Sequence, residues 1–188
     1  MPSTTSAMPT AAFVLALISL VVAVAALTWN VVQFLLTGSR PRVLLLVGAI
    51  TGNGTGLVTW PPSKGGASNI RHLAEQGMKP TPALAVKVVN HGRAPLRVER
   101  WSVKEEPSGI KYTPLAGGFV GPELPHDLPA GANAIFALDM EVVQRGAYAS
   151  AATFGTKNAS VVVQVELGTG KMLTAKGRLP VGLPAATS

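Results

Sequence analysis

The sequence predicts a mainly β protein: an N-terminal transmembrane helix followed by an immunoglobulin-like antiparallel β-sandwich. Three observations lead there. Residues 11–37 form an apolar run without a charge, and every charged side chain of the 188 residues lies at or beyond Arg40. The rest reads as about seven short strands separated by Gly- and Pro-rich turns. Nowhere do strands alternate with long helices, as a parallel α/β sheet requires. The expected organisation is a short polar tail (1–10), the transmembrane helix (11–37), a membrane exit (38–41), the β-sandwich (42–180) and a loose tail (181–188).

As a helix, residues 11–36 reach about 39 Å, more than the ~30 Å hydrocarbon core of a bilayer. A cleaved signal peptide is the competing reading, but it needs a basic leading segment, and residues 1–10 hold neither Lys nor Arg. Gly38 and Pro41 end the helix, and Trp29 is expected at headgroup level. Basic residues flank the span only on its C-terminal side, as Arg40 and Arg42, so the positive-inside rule puts the domain in the cytoplasm, anchored to the cell membrane. Within the span Ala12, Ala16, Ser19, Ala23, Ala26, Asn30, Gln33 and Thr37 are spaced by alternating fours and threes. Small and polar residues on one stripe let another helix approach closely and hydrogen-bond, in a left-handed crossing. The alternative is that Ala is common in spans and that Asn30 and Gln33 sit among headgroups.

Residues 42–50 (RVLLLVGAI) read as a buried strand, apolar on both faces. Residues 51–56 (TGNGTG) make a turn and 57–60 a weak strand. The stretch 63–82 is a surface excursion with a short helix near 69–76, capped by Ser68 and ended by Gly77. Leu84, Val86 and Val88 alternate with Lys87 before the turn at 90–95. In 96–104 (LRVERWSVK) the apolar parity shifts from Leu96 and Val98 to Trp101 and Val103, which marks a β-bulge at Glu99-Arg100. Glu105 and Glu106 then read as solvated charge. A short strand is expected at 110–113. After the proline-gated stretch 124–131 comes a strand with Ala132, Ala134, Phe136 and Leu138 inward. Asp139 caps a helix of one or two turns ending at Gly146, and a loop runs to 158. The last unit is a hairpin with Ala159, Val161, Val163, Val165 and Leu167 inward, a turn at Gly168-Thr169-Gly170, and Leu173, Ala175 and Leu179 inward on its return.

The frame VKVVNHGRAPLRV, followed by LPAGANAIFAL, resembles many bacterial immunoglobulin-like accessory domains. From WNVVQF and SRPRV to VVVQVELGTGKML, the whole chain is similar to a group of uncharacterised single-pass membrane proteins of actinobacteria and their phages. Those motifs are structural, namely turns, strand edges and the membrane exit, so the resemblance implies a fold and a location and no activity.

Composition narrows the chemistry. With no cysteine, disulfide scaffolds, zinc-thiolate sites and Cys nucleophiles are excluded. ELGTGKMLT carries a Gly-Lys pair but lacks the first Gly and the final Ser/Thr of a phosphate loop, with Val165 and Met172 in those places. His72, His91 and His126 lie far apart, and only Glu75 stands at ligand spacing from one of them. His126-Asp127 reads as a hydrogen-bonded loop pair. No G-x-S-x-G elbow marks a nucleophile, and the N-x-S/T sites at Asn53 and Asn158 carry little weight in a bacterial-looking chain. No catalytic, cofactor or metal site is expected. The net charge of +7 sits wholly on the domain; it suits anionic lipid better than nucleic acid, because the basic residues are scattered with little aromatic interleaving. The resulting expectation is a non-catalytic module that binds a protein partner or the membrane surface, or associates with itself through the helix. The rival readings are an accessory subunit of a larger membrane complex and a small membrane-tethered hydrolase.

Overall fold

A computed structural model describes residues 7–64, 66–155 and 159–181. The chain divides into two units, residues 1–38 and 39–188. The first contains helix α1 (Ala7–Thr37), one uninterrupted apolar helix long enough to cross a bilayer. It begins four residues before the expected position, inside the segment read as a polar tail, because Ala7 adds to an Ala-rich start. It ends where the sequence indicated.

The second unit holds two antiparallel sheets. Sheet A has the order β2-β1-β3-β7, formed by β1 (Pro41–Thr51), β2 (Gly56–Trp60), β3 (Thr81–Asn90) and β7 (Asn133–Asp139). Sheet B is centred on β4 (Leu96–Glu106) and β8 (Ala159–Leu167). Along the free side of β4 lie β5 (Lys111–Tyr112) and β6 (His126–Leu128); along that of β8 lie β9 (Met172–Thr174) and β10 (Leu179–Val181). A parallel bridge between Leu44 and Lys176 links the sheets at one side. Their inner faces share one core. Leu84, Val86 and Val88 of sheet A and Trp101, Val161, Val163 and Val165 of sheet B belong to it, with Phe136 stacked near Trp101 at 6.5 Å between centroids. The register of β4 on β8 shifts between Val98 and Arg100, the bulge that the parity change indicated.

Three expectations along the chain are corrected. Helix α2 spans Gly66–Glu75, so Ser68 lies inside it and is not its cap; Ala67 is a strong helix former and carries the first turn upstream. Helix α3 (Met140–Phe154) is four turns long and passes through Gly146. Asp139 does cap it, accepting the Glu141 N–H at 2.8 Å, but the terminator is Gly155, in the left-handed region at φ 65°. A mid-helix Gly costs about 1 kcal/mol, which is offset here by Val143, Ala147, Ser150 and Ala151, buried on one helical stripe. The third correction concerns the charges near the end of β4. Trp101, Val103 and Glu105 share its inner parity, and Glu105 is buried at 5% exposure rather than solvated. In the tail, Val181 is buried and paired with Ala159 in β10; residues 182–188, like 1–6 and 156–158 with Asn158, lie outside the described residues.

Asn90 ties these parts together. It is fully buried, and its Oδ1 accepts the N–H groups of Gly92 (3.0 Å) and Arg40 (3.3 Å). Its Nδ2 faces the carbonyls of Ala94 (2.8 Å), Pro129 (3.2 Å) and Leu128 (3.3 Å). Its backbone bonds Ala132 and Gly131. Replacing it with Ala strands two buried partners, the Gly92 N–H and the Leu128 carbonyl, each costing on the order of 1–3 kcal/mol when left unsatisfied. Asn90→Ala is therefore expected to destabilise the domain by about 3 kcal/mol, read by denaturant unfolding of the detergent-solubilised chain through Trp101 fluorescence; a loss below ~1 kcal/mol contradicts this assignment.

Candidate interaction surface

Strand β1 is apolar on both faces, and the two faces meet different fates. Val43, Leu45, Val47 and Ala49 are buried inward, whereas Leu44, Leu46 and Ile50, on the outer face, are half-buried. The expectation of a fully buried strand is thus corrected: no described element packs over this side of sheet A. Pairing extends the pattern across the sheet, since neighbours in register share a face. Ile50 lies beside Leu57, Leu46 beside Ala85 and then Ala137, and Leu44 beside Lys87 and then Ile135. Ala83, Ala85 and Ala137 have no exposure because Leu46, Ile50, Leu57, Val120 and Ile135 flank them.

The patch is kept flat by its residue choice. A Cβ at Gly48 would lie 2.2 Å from the Val58 carbonyl oxygen, so glycine lets β2 close against β1 there. Polar residues mark its margin: Thr59 and Thr81 at one end, Arg42 and Asn133 at the other, with Lys87 and, at the end of β7 beside Ala83, Asp139 the charged residues within the rows. The far edge of β7 is bridged by the loop at Val120, whose N–H and carbonyl exchange bonds with Ala137 at 2.8 and 2.7 Å.

The outer face of sheet B has the opposite character. Arg100 pairs with Glu166 at 2.5 Å, Arg97 with Glu99 at 2.9 Å and Asp127 at 3.4 Å, and Glu106 lies between Arg178 (3.3 Å) and Lys104 (3.6 Å). The Arg100 hydrogen bond, followed by its charge, holds the Glu166 carboxyl below the usual carboxylate range, and Glu166 raises Arg100 in turn. Arg97, Arg100, Asp127 and Arg178 are exposed while Glu166, Glu106 and Lys104 are half-buried, so each pair meets water on at least one side, holds side chains in place and adds little stability.

The residues singled out from sequence fall as follows. Ala12, Ala16, Ser19, Ala23, Ala26, Asn30 and Gln33 all lie on α1 and all are exposed. Ser19 donates to the Leu15 carbonyl at 2.8 Å, while Asn30 and Gln33 make no hydrogen bond among the described residues. Three heptads on a straight helix drift by about 60°, so the stripe faces a partner continuously only if the helices supercoil. Trp29 is 63% exposed. Arg40 and Arg42 are exposed, and the Arg40 backbone bonds Asn90 and His91. His72 does meet Glu75, at 3.7 Å on the surface of α2, yet no group of three metal-ligating side chains occurs among the described residues. His126 and Asp127 belong to strand β6 rather than to a loop, and Asp127 turns to Arg97 because β6 pairs beside it. A recess of about 600 Å³ under the 113–124 loop is lined by Glu99, Arg100, Glu123, Leu115 and Phe119 among others, without Ser or His.

Glu166 titrates below its unfolded value, so this pair stabilises the fold above the unfolded carboxylate pKa and the contribution is lost as pH falls through the folded one. Arg100→Gln is expected to move the Glu166 midpoint upward toward the ordinary range of about 4.3, read by NMR titration of the side-chain carboxyl. An unchanged midpoint contradicts Arg100 as the cause.

No protein-family model matches the chain. No curated protein matches it either. Among solved structures, the X-ray structure of a Northeast Structural Genomics Consortium target is similar over 78% of this chain and 89% of that one, at 10% identity and a TM-score of 0.31.

Proposed function

We propose that the chain is a single-pass, membrane-anchored, non-catalytic interaction module that docks a protein partner on the outer face of sheet A. The observation that carries this reading is the half-exposed apolar patch of Leu44, Leu46, Ile50, Leu57 and Ile135, with polar residues at its margin. Contiguous apolar surface with a polar rim is the anatomy of a protein interface. An immunoglobulin-like sandwich is supported by the order β1-β3-β7 opposite β4-β8, by the β3-to-β4 passage between sheets, and by the Leu44–Lys176 bridge.

Helix α1, at about 46 Å for its length, is the anchor in this reading. Arg40 and Arg42 orient the domain toward the cytoplasm of a bacterial cell. Binding to the membrane surface is less favoured, because Arg97, Arg100, Lys104 and Arg178 are engaged by carboxylates. A second reading, accessory subunit of a larger membrane complex, is favoured by Asn30 and Gln33, which carry unused amides on the small-residue stripe of α1.

The test is the size of the complex. Solubilised in mild detergent from its own cells, the wild-type chain is expected to migrate on a native gel as a larger species than monomer plus micelle. Leu46→Glu with Ile135→Glu is expected to release the monomer; both side chains are half-buried, so the variant is first shown to be folded by circular dichroism, and Arg100→Glu is expected to leave the complex intact. A wild-type monomer, or a complex indifferent to the double substitution, contradicts the reading.

A further inference from the structure

Outside the sheet A surface, one buried acid is only half accounted for. Glu105 ends the inner row of β4, and α3 closes over it. Ser150 on α3 donates to Glu105 Oε2 at 2.6 Å, and Ser108, in the turn that follows β4, donates to the same oxygen. The two hydroxyls are 2.9 Å apart, and each has a single proton to give. The turn itself is set by backbone bonds between Glu105 and Ile110 (2.8 Å) and between Gly109 and Glu105 (2.9 Å), with Ser108 Oγ accepting the Ile110 N–H at 3.2 Å. One carboxyl oxygen is thus fully served.

The other, Oε1, is buried and accepts no hydrogen bond from any described residue. Glu105 lines a cavity of about 130 Å³ between α3 and the β4–β5 hairpin, whose other walls include Val103, Val161, Val143, Ala147 and Ile110. Lys111 also borders it, but makes no ion pair with Glu105 among the described residues and acts instead on Glu166. A buried carboxylate oxygen without a donor is costly. A cavity with one acid, Lys111 and Tyr112 on its border and otherwise apolar walls selects a ligand with a donor at one end and methylenes behind it.

We infer that this cavity binds a primary ammonium group carried on a short apolar stem. A charge-assisted N–H···O bond is the strongest partner for such an oxygen. The volume corresponds to about four waters at ~30 Å³ each, which accommodates the five heavy atoms of n-butylammonium. The same five atoms end a lysine side chain, so the ammonium comes either from a free amine or from a lysine of another chain. This inference does not depend on the sheet A reading, and each fails separately.

The experiment is a thermal shift of the full chain in detergent micelles. The probes are n-butylammonium chloride, n-butanol as neutral isostere, tetramethylammonium chloride as a cation without N–H, and Nα-acetyl-lysine methylamide. Near-saturating n-butylammonium or the lysine amide is expected to raise the melting temperature by about 2–4 °C. A larger shift with the amine identifies a free amine, and a larger one with the amide identifies a lysine. n-Butanol and tetramethylammonium are expected to give none. Glu105→Gln is expected to abolish the shift. So is Gly146→Leu, which adds a side chain to the cavity lining from a helix position where an added Cβ meets no heavy atom within 4 Å and leaves Glu105 intact if the first variant fails to fold. No shift with either ammonium probe, an equal shift with n-butanol, or a shift that survives in either folded variant overturns the proposal.

Discussion

One buried amide holds the domain's two sheets in relation to each other. Asn90 closes β3 of sheet A, and its side chain reaches into the turn toward β4 of sheet B, the 128–132 turn ahead of β7, and the backbone of Arg40 at the start of β1. Both ends of the amide are used, so neither Asp, which lacks the donors, nor an apolar residue of similar size reproduces the arrangement. Because β1 and β7 flank β3, their registers on it, and hence the rows of the outer face of sheet A, follow from how this point is fixed.

The rest of the domain is an unequal division of labour between two sheets. Both contribute inner faces to a single core that stabilises the unit. Outside, sheet B carries ion pairs satisfied by each other and by water, while sheet A presents half-buried Leu and Ile side chains packed around alanines that have no exposure. Leaving apolar area uncovered forgoes roughly 25 cal/mol per Å². A cytoplasmic-facing or otherwise aqueous domain keeps such a face at a cost in solubility, and the cost is removed when a partner covers it.

Much of this was legible in the order of residues. Strict alternation gave the inner rows of β3 and β8, and a one-residue change of parity located the bulge in β4, because a side-chain period of two leaves no freedom once one face is buried. The long uncharged run ended at Gly38 as a helix must. The two motif fragments around Asn90 and Gly131 were visible as turns, but that they meet at one amide is a tertiary fact with no local signature. The length of α3 was hidden by Gly146, a local stop signal overridden by burial of the stripe beyond it. Glu105 was misread by its charge although its parity with Trp101 and Val103 pointed inward; the hydroxyl that meets it on α3 is forty-five residues away in sequence. For β1, two apolar faces read as two covered faces, and the second is only half-buried, because periodicity carries no signal for what packs over an apolar face.

The measurement closest to the central claim is site-specific photocrosslinking in living cells. A photoreactive amino acid at position 46, on the outer face of sheet A, is to be compared with one at position 164, on the outer face of sheet B. Sheet A as a docking surface predicts a discrete protein adduct from position 46 and none from position 164. Equal adducts from both positions, or none from position 46 in a folded, membrane-inserted chain, would contradict it.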